Sequence, residues 1–227
     1  MKHLVIPGLE PKTPINTIFC IGRNYADHAR EMKSELPDQP VVFTKPLTSI
    51  IFDGGSILLP RDSDLVHHEV EMVVAIGREG KHISPEHAME YVLGYGIGID
   101  VTARDKQNYA KKHQLPWTVA KGYDTFAPIS QFVSADEVDD PHDLSISMSV
   151  NGEKRQGGHT KDMIFDIPKL ISHLSGIFTL GPGDLLFTGT PSGVSTIKNG
   201  DVIRATLGEK LVTLNIMVTN EPYYPIK

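Results

Sequence analysis

The sequence predicts an α+β fold that is mostly β. Three observations carry this: strand-length runs of valine, isoleucine and leucine such as Val41–Lys45 and Val70–Ile76, glycine and proline turns between those runs, and helical periodicity confined to a few patches. Taken in order, residues 17–21 read as a first strand. Gly22 and Arg23 then turn the chain into a helix near 25–33, where Asn24 and Asp27 have the spacing of a capping box. Residues 34–40 read as a loop. Strands follow at Val41–Lys45 and Ser56–Leu59, with Asp53-Gly54-Gly55 as a turn between them, and then at Val70–Ile76. A second helix is expected over Pro85–Tyr91, a long strand over 92–101, and a third helix over 103–113, behind Thr102 and with Asp105 completing its cap. Residues 144–150 alternate as a strand does, Asn151-Gly152 is a hairpin turn, and 167–174 read as a helix. The end is β again. There, Gly183-Asp184 and Gly200-Asp201 are two copies of one device, a glycine turn whose aspartate bonds nearby backbone ahead of an apolar strand.

Composition narrows the function. A chain of 227 residues with 40% hydrophobic and 22% charged residues has enough apolar material for a packed core. Its 22 basic and 28 acidic residues give a net charge of −6, which argues against a nucleic-acid partner, since such binding rests on concentrated positive charge. The single cysteine, Cys20, cannot form an intramolecular disulfide, so cytoplasm or an organelle matrix is the expected compartment. The stretch before Thr17 is broken by Pro7, Gly8, Pro11 and Pro14 and resembles neither a signal nor a transit peptide. No apolar run approaches membrane-spanning length. No linker divides the chain, which reads as one domain.

The chemistry concentrates in His67-His68-Glu69-Val70-Glu71. Side chains alternate along a strand, so Glu69 and Glu71 project from one face, roughly 6 to 7 Å apart along the chain. Taken alone, that spacing fits a solvent-facing strand. Asp100 shifts the balance. In Leu93-Gly94-Tyr95-Gly96-Ile97-Gly98-Ile99-Asp100 one face is bare glycine backbone, which admits close approach of another element, and the aspartate ends it. Carboxylates without a cysteine pattern suit a hard divalent ion, Mg²⁺ or Mn²⁺, with Ca²⁺ as a third candidate. His67 and His68 do not share the glutamates' face and read as ordinary histidines rather than ligands. Beyond Asp100, Arg104 and Gln107 share a helix face and together can grip a carboxylate, although solvated helix residues look the same. Lys121 follows an apolar stretch and is either a cation for a developing enolate or a lysine snorkelling to water.

These residues carry a resemblance. The runs Ile21-Gly22-Arg23-Asn24-Tyr25-Ala26-Asp27-His28, His68-Glu69-Val70-Glu71, Asp100-Val101-Thr102-Ala103-Arg104-Asp105 and Leu186-Phe187-Thr188-Gly189-Thr190-Pro191-Ser192-Gly193-Val194 resemble the fumarylacetoacetate hydrolase family, in its short acylpyruvase and oxaloacetate decarboxylase branch. The resemblance implies a mixed β-sandwich roll, a homodimer, and Mg²⁺ or Mn²⁺ on Glu69, Glu71 and Asp100. It assigns contacts with a 2-oxo acid to Arg23, Arg104, Gln107 and Thr190, and a catalytic part to Lys121. It also implies a short extension, 1–16, ahead of a single catalytic domain, 17–227, that carries a mobile lid helix at about 24–36. His28 and Glu31 lie three apart on that helix, and the resemblance makes them the pair that activates water, where spacing alone would equally suit a solvated helix.

The activity so implied is cleavage of a C–C bond in a small 2-oxo acid, by acylpyruvate hydrolysis or oxaloacetate decarboxylation, through a shared pyruvate enolate. Alternatives are a fumarylpyruvate-type hydrolase or dienoate isomerase of aromatic breakdown, an oxaloacetate keto–enol tautomerase, and a non-catalytic metal-binding protein. The last needs only the acidic residues, so His28, Glu31 and Lys121 weigh against it.

Overall fold

A computed structural model describes residues 2–32 and 34–222; the parts of the expected extension, lid helix and catalytic domain at residues 1, 33 and 223–227 lie outside the described residues. The fold is mostly β, and among the described residues the strands form three sheets. The largest runs in the order Val41–Lys45, Ile18–Gly22, Leu185–Phe187, Val70–Ile76, Val92–Ile99, Ala127–Ile129, Ile50–Phe52, with Val133–Ser134 also paired to Val92–Ile99. A five-stranded sheet follows the order Glu153–His159, Ser145–Val150, Val202–Leu207, Val212–Asn220, Ser56–Leu59. A small sheet joins Ser195–Thr196, Val66–His68 and Thr102–Ala103. Pairing is mixed: Ile18–Gly22 runs parallel to Leu185–Phe187, while Val70–Ile76 is antiparallel to both of its neighbours.

The strand Val70–Ile76 is buried along its whole length, and that explains its unbroken apolar run. One face sends Met72, Val74 and Ile76 into the main core, beside Ile97, Ile99, Met148, Ala205, Leu214 and Ile216. The opposite face sends Val73 and Ala75 into a second cluster with Ile18, Cys20, Ile129, Leu185 and Phe187, which Leu4, Ile6 and Ile15 help to cover. Glu69 and Glu71 precede Val73 on this second face.

The glycine face does what the sequence suggested. A Cβ at Gly94 would lie 2.3 Å from the Val133 carbonyl oxygen, and one at Gly98 would lie 2.7 Å from a ring carbon of Phe187. Asn151 and Gly152 both take positive φ, 53° and 81°, as a type I′ hairpin needs. Asp184 accepts from the backbone N–H groups of Thr17 and Gly181, and Asp201 from that of Lys198.

Several local readings are corrected. The first helix is Ala26–Glu31, shorter than 24–36, and its N-cap is Tyr25 rather than Asn24. Asn24 is fully buried and instead donates to the carbonyls of Phe165 and Thr188 while accepting from the Phe165 N–H, so tertiary partners displace the local cap. Pro85–Tyr91 winds as 3₁₀ turns, with His87 N–H donating to the Ser84 carbonyl. The helix Arg104–Lys112 has no side-chain cap: Thr102 Oγ1 donates to the Asp100 carbonyl, and Asp105 takes a 2.6 Å hydrogen bond from Ser63. The helix Ile167–Ile177 runs past residue 174 and is capped by Asp166, which accepts from Lys169 N–H. No helix among the described residues is long and apolar enough to cross a membrane.

Because the Val133 carbonyl sits where a Gly94 side chain would go, Gly94→Ala should lower stability by about 1–3 kcal/mol. Urea unfolding checks this, as a lowered midpoint at constant m-value; an unmoved midpoint would mean that the two strands can part at no cost.

Candidate active site

Strand register explains why three carboxylates meet. Val70 pairs with Ile99 and Glu71 with Gly98, so Glu69 stands opposite Asp100. Asp100 N–H donates to the Glu69 carbonyl at 2.8 Å. Opposed residues share a sheet face, hence Glu69, Glu71 and Asp100 converge on one face, beside Gly98, whose missing side chain makes room for the Phe187 ring. An oxygen from each lies within 4.8 Å of the others, and all three side chains are buried.

Such a cluster needs positive charge nearby. Lys121 Nζ donates to Glu69 Oε2 at 2.8 Å, Asp100 Oδ2 at 2.5 Å and Thr102 Oγ1 at 2.7 Å. Arg104 reaches Glu69 Oε1 with Nη2, Gln107 Oε1 with Nη1 at 2.5 Å, and His67 Nδ1 with Nε at 3.4 Å. Burial alone would raise the Glu69 carboxyl, but Lys121 and Arg104 outweigh it and hold Glu69 well below the usual carboxylate range. Burial followed by the charges of Asp100 and Glu69 pushes Glu71 well above that range. Among the described residues its hydrogen-bond donor is the Gly189 N–H, at 2.7 Å.

The third positive charge is one that sequence reasoning missed. Lys45 is completely buried, and its Nζ donates to the carbonyls of Val101, Lys121 and Phe126 at 3.0, 2.5 and 2.9 Å. It also stands 2.7 Å from Asp100 Oδ1 as a charge contact, so that oxygen is buried without a hydrogen-bond donor. A carboxylate oxygen with a free lone pair, beside Glu71 with only an N–H, in a cluster of oxygen donors and no thiol, fits a hard divalent cation.

Around this cluster one cleft gathers the other expected residues. Arg23, His28, Arg104, Gln107, Lys121 and Thr190 all line it. Arg104 has three donor positions committed to protein acceptors, and its bond to Gln107 makes the two a single unit. His28 Nδ1 lies 3.3 Å from Glu31 Oε2, and the Glu31 carboxylate also accepts the Gly193 N–H at 3.2 Å. Arg23 holds a φ of 62°, uncommon for a residue with a side chain. His67 and His68 stay outside the acidic cluster. Burial, then the nearby Arg104, pushes His67 down to about 4. His68 is enclosed between Gln156 and Ser195, each at 2.8 Å.

Gln156, likewise unforeseen, accepts from Val70 N–H and donates to Thr190 Oγ1 at 2.9 Å, fixing the cleft wall from behind. Lys45 had a faint sequence signal, a lysine closing the apolar strand Val41–Lys45; Gln156 had none. In metal-free protein Lys45→Met removes a buried cation from Asp100 and should cost about 3–5 kcal/mol of unfolding free energy. Chemical denaturation with and without a chelator reads it, and a loss below 1 kcal/mol, on the order of a surface pair, would make Lys45 a bystander.

Known proteins resemble this chain over most of its length. Residues 17–219 match the family described as fumarylacetoacetate (FAA) hydrolase C-terminal. The chain is 48% identical over 188 residues to the mitochondrial oxaloacetate decarboxylase of Dictyostelium discoideum, covering 82% of this chain and 86% of that one. It is 47% identical over 188 residues to the mitochondrial oxaloacetate tautomerase FAHD1 of Bos taurus, with 83% and 85% covered. The crystal structure of fumarylpyruvate hydrolase from Pseudomonas aeruginosa, in complex with Mn²⁺ and pyruvate, superimposes with a TM-score of 0.90 at 36% identity, over 97% of this chain and 96% of that one. The chain therefore belongs to the fumarylacetoacetate hydrolase family.

Proposed function

We propose that the protein is a divalent-metal-dependent enzyme that cleaves a C–C bond in small 2-oxo acids, by acylpyruvate hydrolysis, oxaloacetate decarboxylation or both. The observation that carries this reading is one cleft holding three converging buried carboxylates, a buried lysine among them, and a histidine with its own glutamate. The relatives named as oxaloacetate decarboxylase and tautomerase, and the fumarylpyruvate hydrolase solved with Mn²⁺ and pyruvate, support it.

A cation held by Glu69, Glu71 and Asp100, Mg²⁺ or Mn²⁺, supplies the charge that turns a 2-oxo group into an electron sink. Arg104, Gln107, Arg23 and Thr190 orient the acid through its oxygens. Glu31, itself fixed by the Gly193 N–H, holds His28 Nδ1, which leaves Nε2 free to take a proton from water attacking the distal carbonyl. The C–C bond then breaks with its electron pair on the pyruvate fragment, and Lys121 steadies the resulting enolate. Loss of CO₂ from oxaloacetate gives the same enolate without water. Proton transfer alone gives a keto–enol tautomerase, the second reading, which the bovine relative's name favours. The helix Ala26–Glu31 serves as the lid in this proposal, residues 17–227 as the catalytic domain and a homodimer as the assembly. Cytoplasm or an organelle matrix is its place.

Pyruvate release from a panel of 2-oxo acids, with and without EDTA, tests the reading. EDTA should abolish activity, and Mg²⁺ or Mn²⁺ should restore it; full activity after exhaustive chelation would sink the mechanism. Glu71, raised by burial and its acidic neighbours, must lose its proton to bind metal. Metal affinity should consequently rise with pH, and calorimetry in buffers of different ionisation enthalpy should detect released protons.

The dyad separates the two chemistries. His28→Ala should slow acylpyruvate hydrolysis by roughly 10²- to 10⁴-fold and oxaloacetate decarboxylation less, because only the first needs activated water. Both rates are measured on one preparation. Equal losses would mean that the helix acts only by covering the cleft.

A further inference from the structure

Two cations in the cleft have no protein anion beside them among the described residues. Lys121 and Arg104 are committed to Glu69 and Asp100, and Lys45 to Asp100. Arg23 and Lys111 line the same cleft, yet among the described residues neither side chain forms an ion pair or a hydrogen bond to a protein acceptor. Lys111 Nζ lies over the ring of Trp117, 5.5 Å from its centroid, and Trp117 also lines the cleft. Burial and the neighbouring positive charges of Arg104 and Arg23 push Lys111 down to about 8. Positive charges close enough to disfavour one another, half-buried and without a counter-ion, form a receptor for an anion. The inner carboxylate and 2-oxo oxygen of a substrate belong to the acidic cluster with Arg104 and Gln107, which leaves the other end of the molecule.

We propose that Lys111, with Arg23 beside it, is the specificity residue for the far end of the substrate: it binds the second carboxylate of a dicarboxylic 2-oxo acid, and it is this contact that sets such an acid above a monocarboxylic one of equal length. This deepens the 2-oxo-acid reading and rests on it. Phe43 and Trp117, in edge contact at 5.6 Å, form an apolar side to the cleft against which the carbon chain between the two ends lies. Lys111 is a specificity residue here, separate from the groups that move protons.

The test uses two acids of five carbons that share a 2-oxo-acid head and cannot be cleaved, 2-oxoglutarate and 2-oxovalerate. They differ only in a terminal carboxylate or methyl. Trp117 is the single tryptophan of the chain, so its fluorescence reports occupancy in Mg²⁺-loaded protein. Wild type should bind 2-oxoglutarate at least about tenfold more tightly than 2-oxovalerate, the worth of one charge-assisted contact. Lys111→Met keeps the apolar stem and should erase that preference, leaving 2-oxovalerate within about twofold of wild type. Lys112→Met, the same charge loss on an exposed neighbour, should leave the preference intact. Equal affinities in wild type, or a Lys111→Met variant that keeps the preference or weakens both acids alike, would overturn the proposal while the 2-oxo-acid reading stands. If neither acid is bound, at concentrations where Mg²⁺ loading is verified, both readings fall together.

Discussion

Charge compensation at the buried end of the large sheet governs the rest of the structure. Glu69, Glu71 and Asp100 are three carboxyl groups removed from water, a placement that costs several kcal/mol for each one that is ionised unless partners are supplied. Lys45, Lys121 and Arg104 supply them from three different elements: a strand end, the short helix Thr118–Lys121 and the start of the helix Arg104–Lys112. Each of these elements is therefore pinned to one point. The compensation is uneven, since Lys121 and Arg104 favour Glu69 and Asp100 while Glu71 has a backbone N–H. That unevenness leaves the cluster receptive to a further cation, where an evenly paired network would be closed.

The scaffold makes the cluster possible by what it omits. Gly98 faces Glu71 across the strand pair, and Phe187 fills the volume that its side chain would have taken. The carboxylates thus stand at the boundary between packed core and cleft. Burial on both faces of Val70–Ile76 fixes the register, because a slip of one residue would drive Glu71 into the main core and pull Met72 out of it.

Much of this was legible in the sequence because it depends on local period. Alternation placed Glu69 with Glu71 and the glycines with Asp100; helical spacing placed His28 with Glu31 and Arg104 with Gln107. What was not legible depends on contacts distant along the chain. Gln156 meets His68 from 88 residues away, and Lys45 reaches the Val101 carbonyl, next to Asp100, from 56 residues away. The caps failed for the same reason. Asn24 and Thr102 have the residue types and spacing of N-caps, but each finds a stronger partner in the folded chain. Strands of three residues, such as Ile50–Phe52 and Ala127–Ile129, are too short to show a period at all.

One loop connects the parts that would otherwise act separately. After the strand Leu185–Phe187, the Thr188 carbonyl accepts from buried Asn24, and the Gly189 N–H holds Glu71. Thr190 is held by Gln156 on the cleft wall, and the Gly193 N–H holds Glu31. Gly189 and Gly193 both take positive φ, 100° and 99°, and a side chain at either would strike Asn24 or the Arg155 carbonyl. A six-residue path from Thr188 to Gly193 thus touches Glu71, the cleft wall at Thr190, and Glu31. In the proposed mechanism this one short segment would therefore set the spacing between the carboxylates that hold the cation and the glutamate that orients His28.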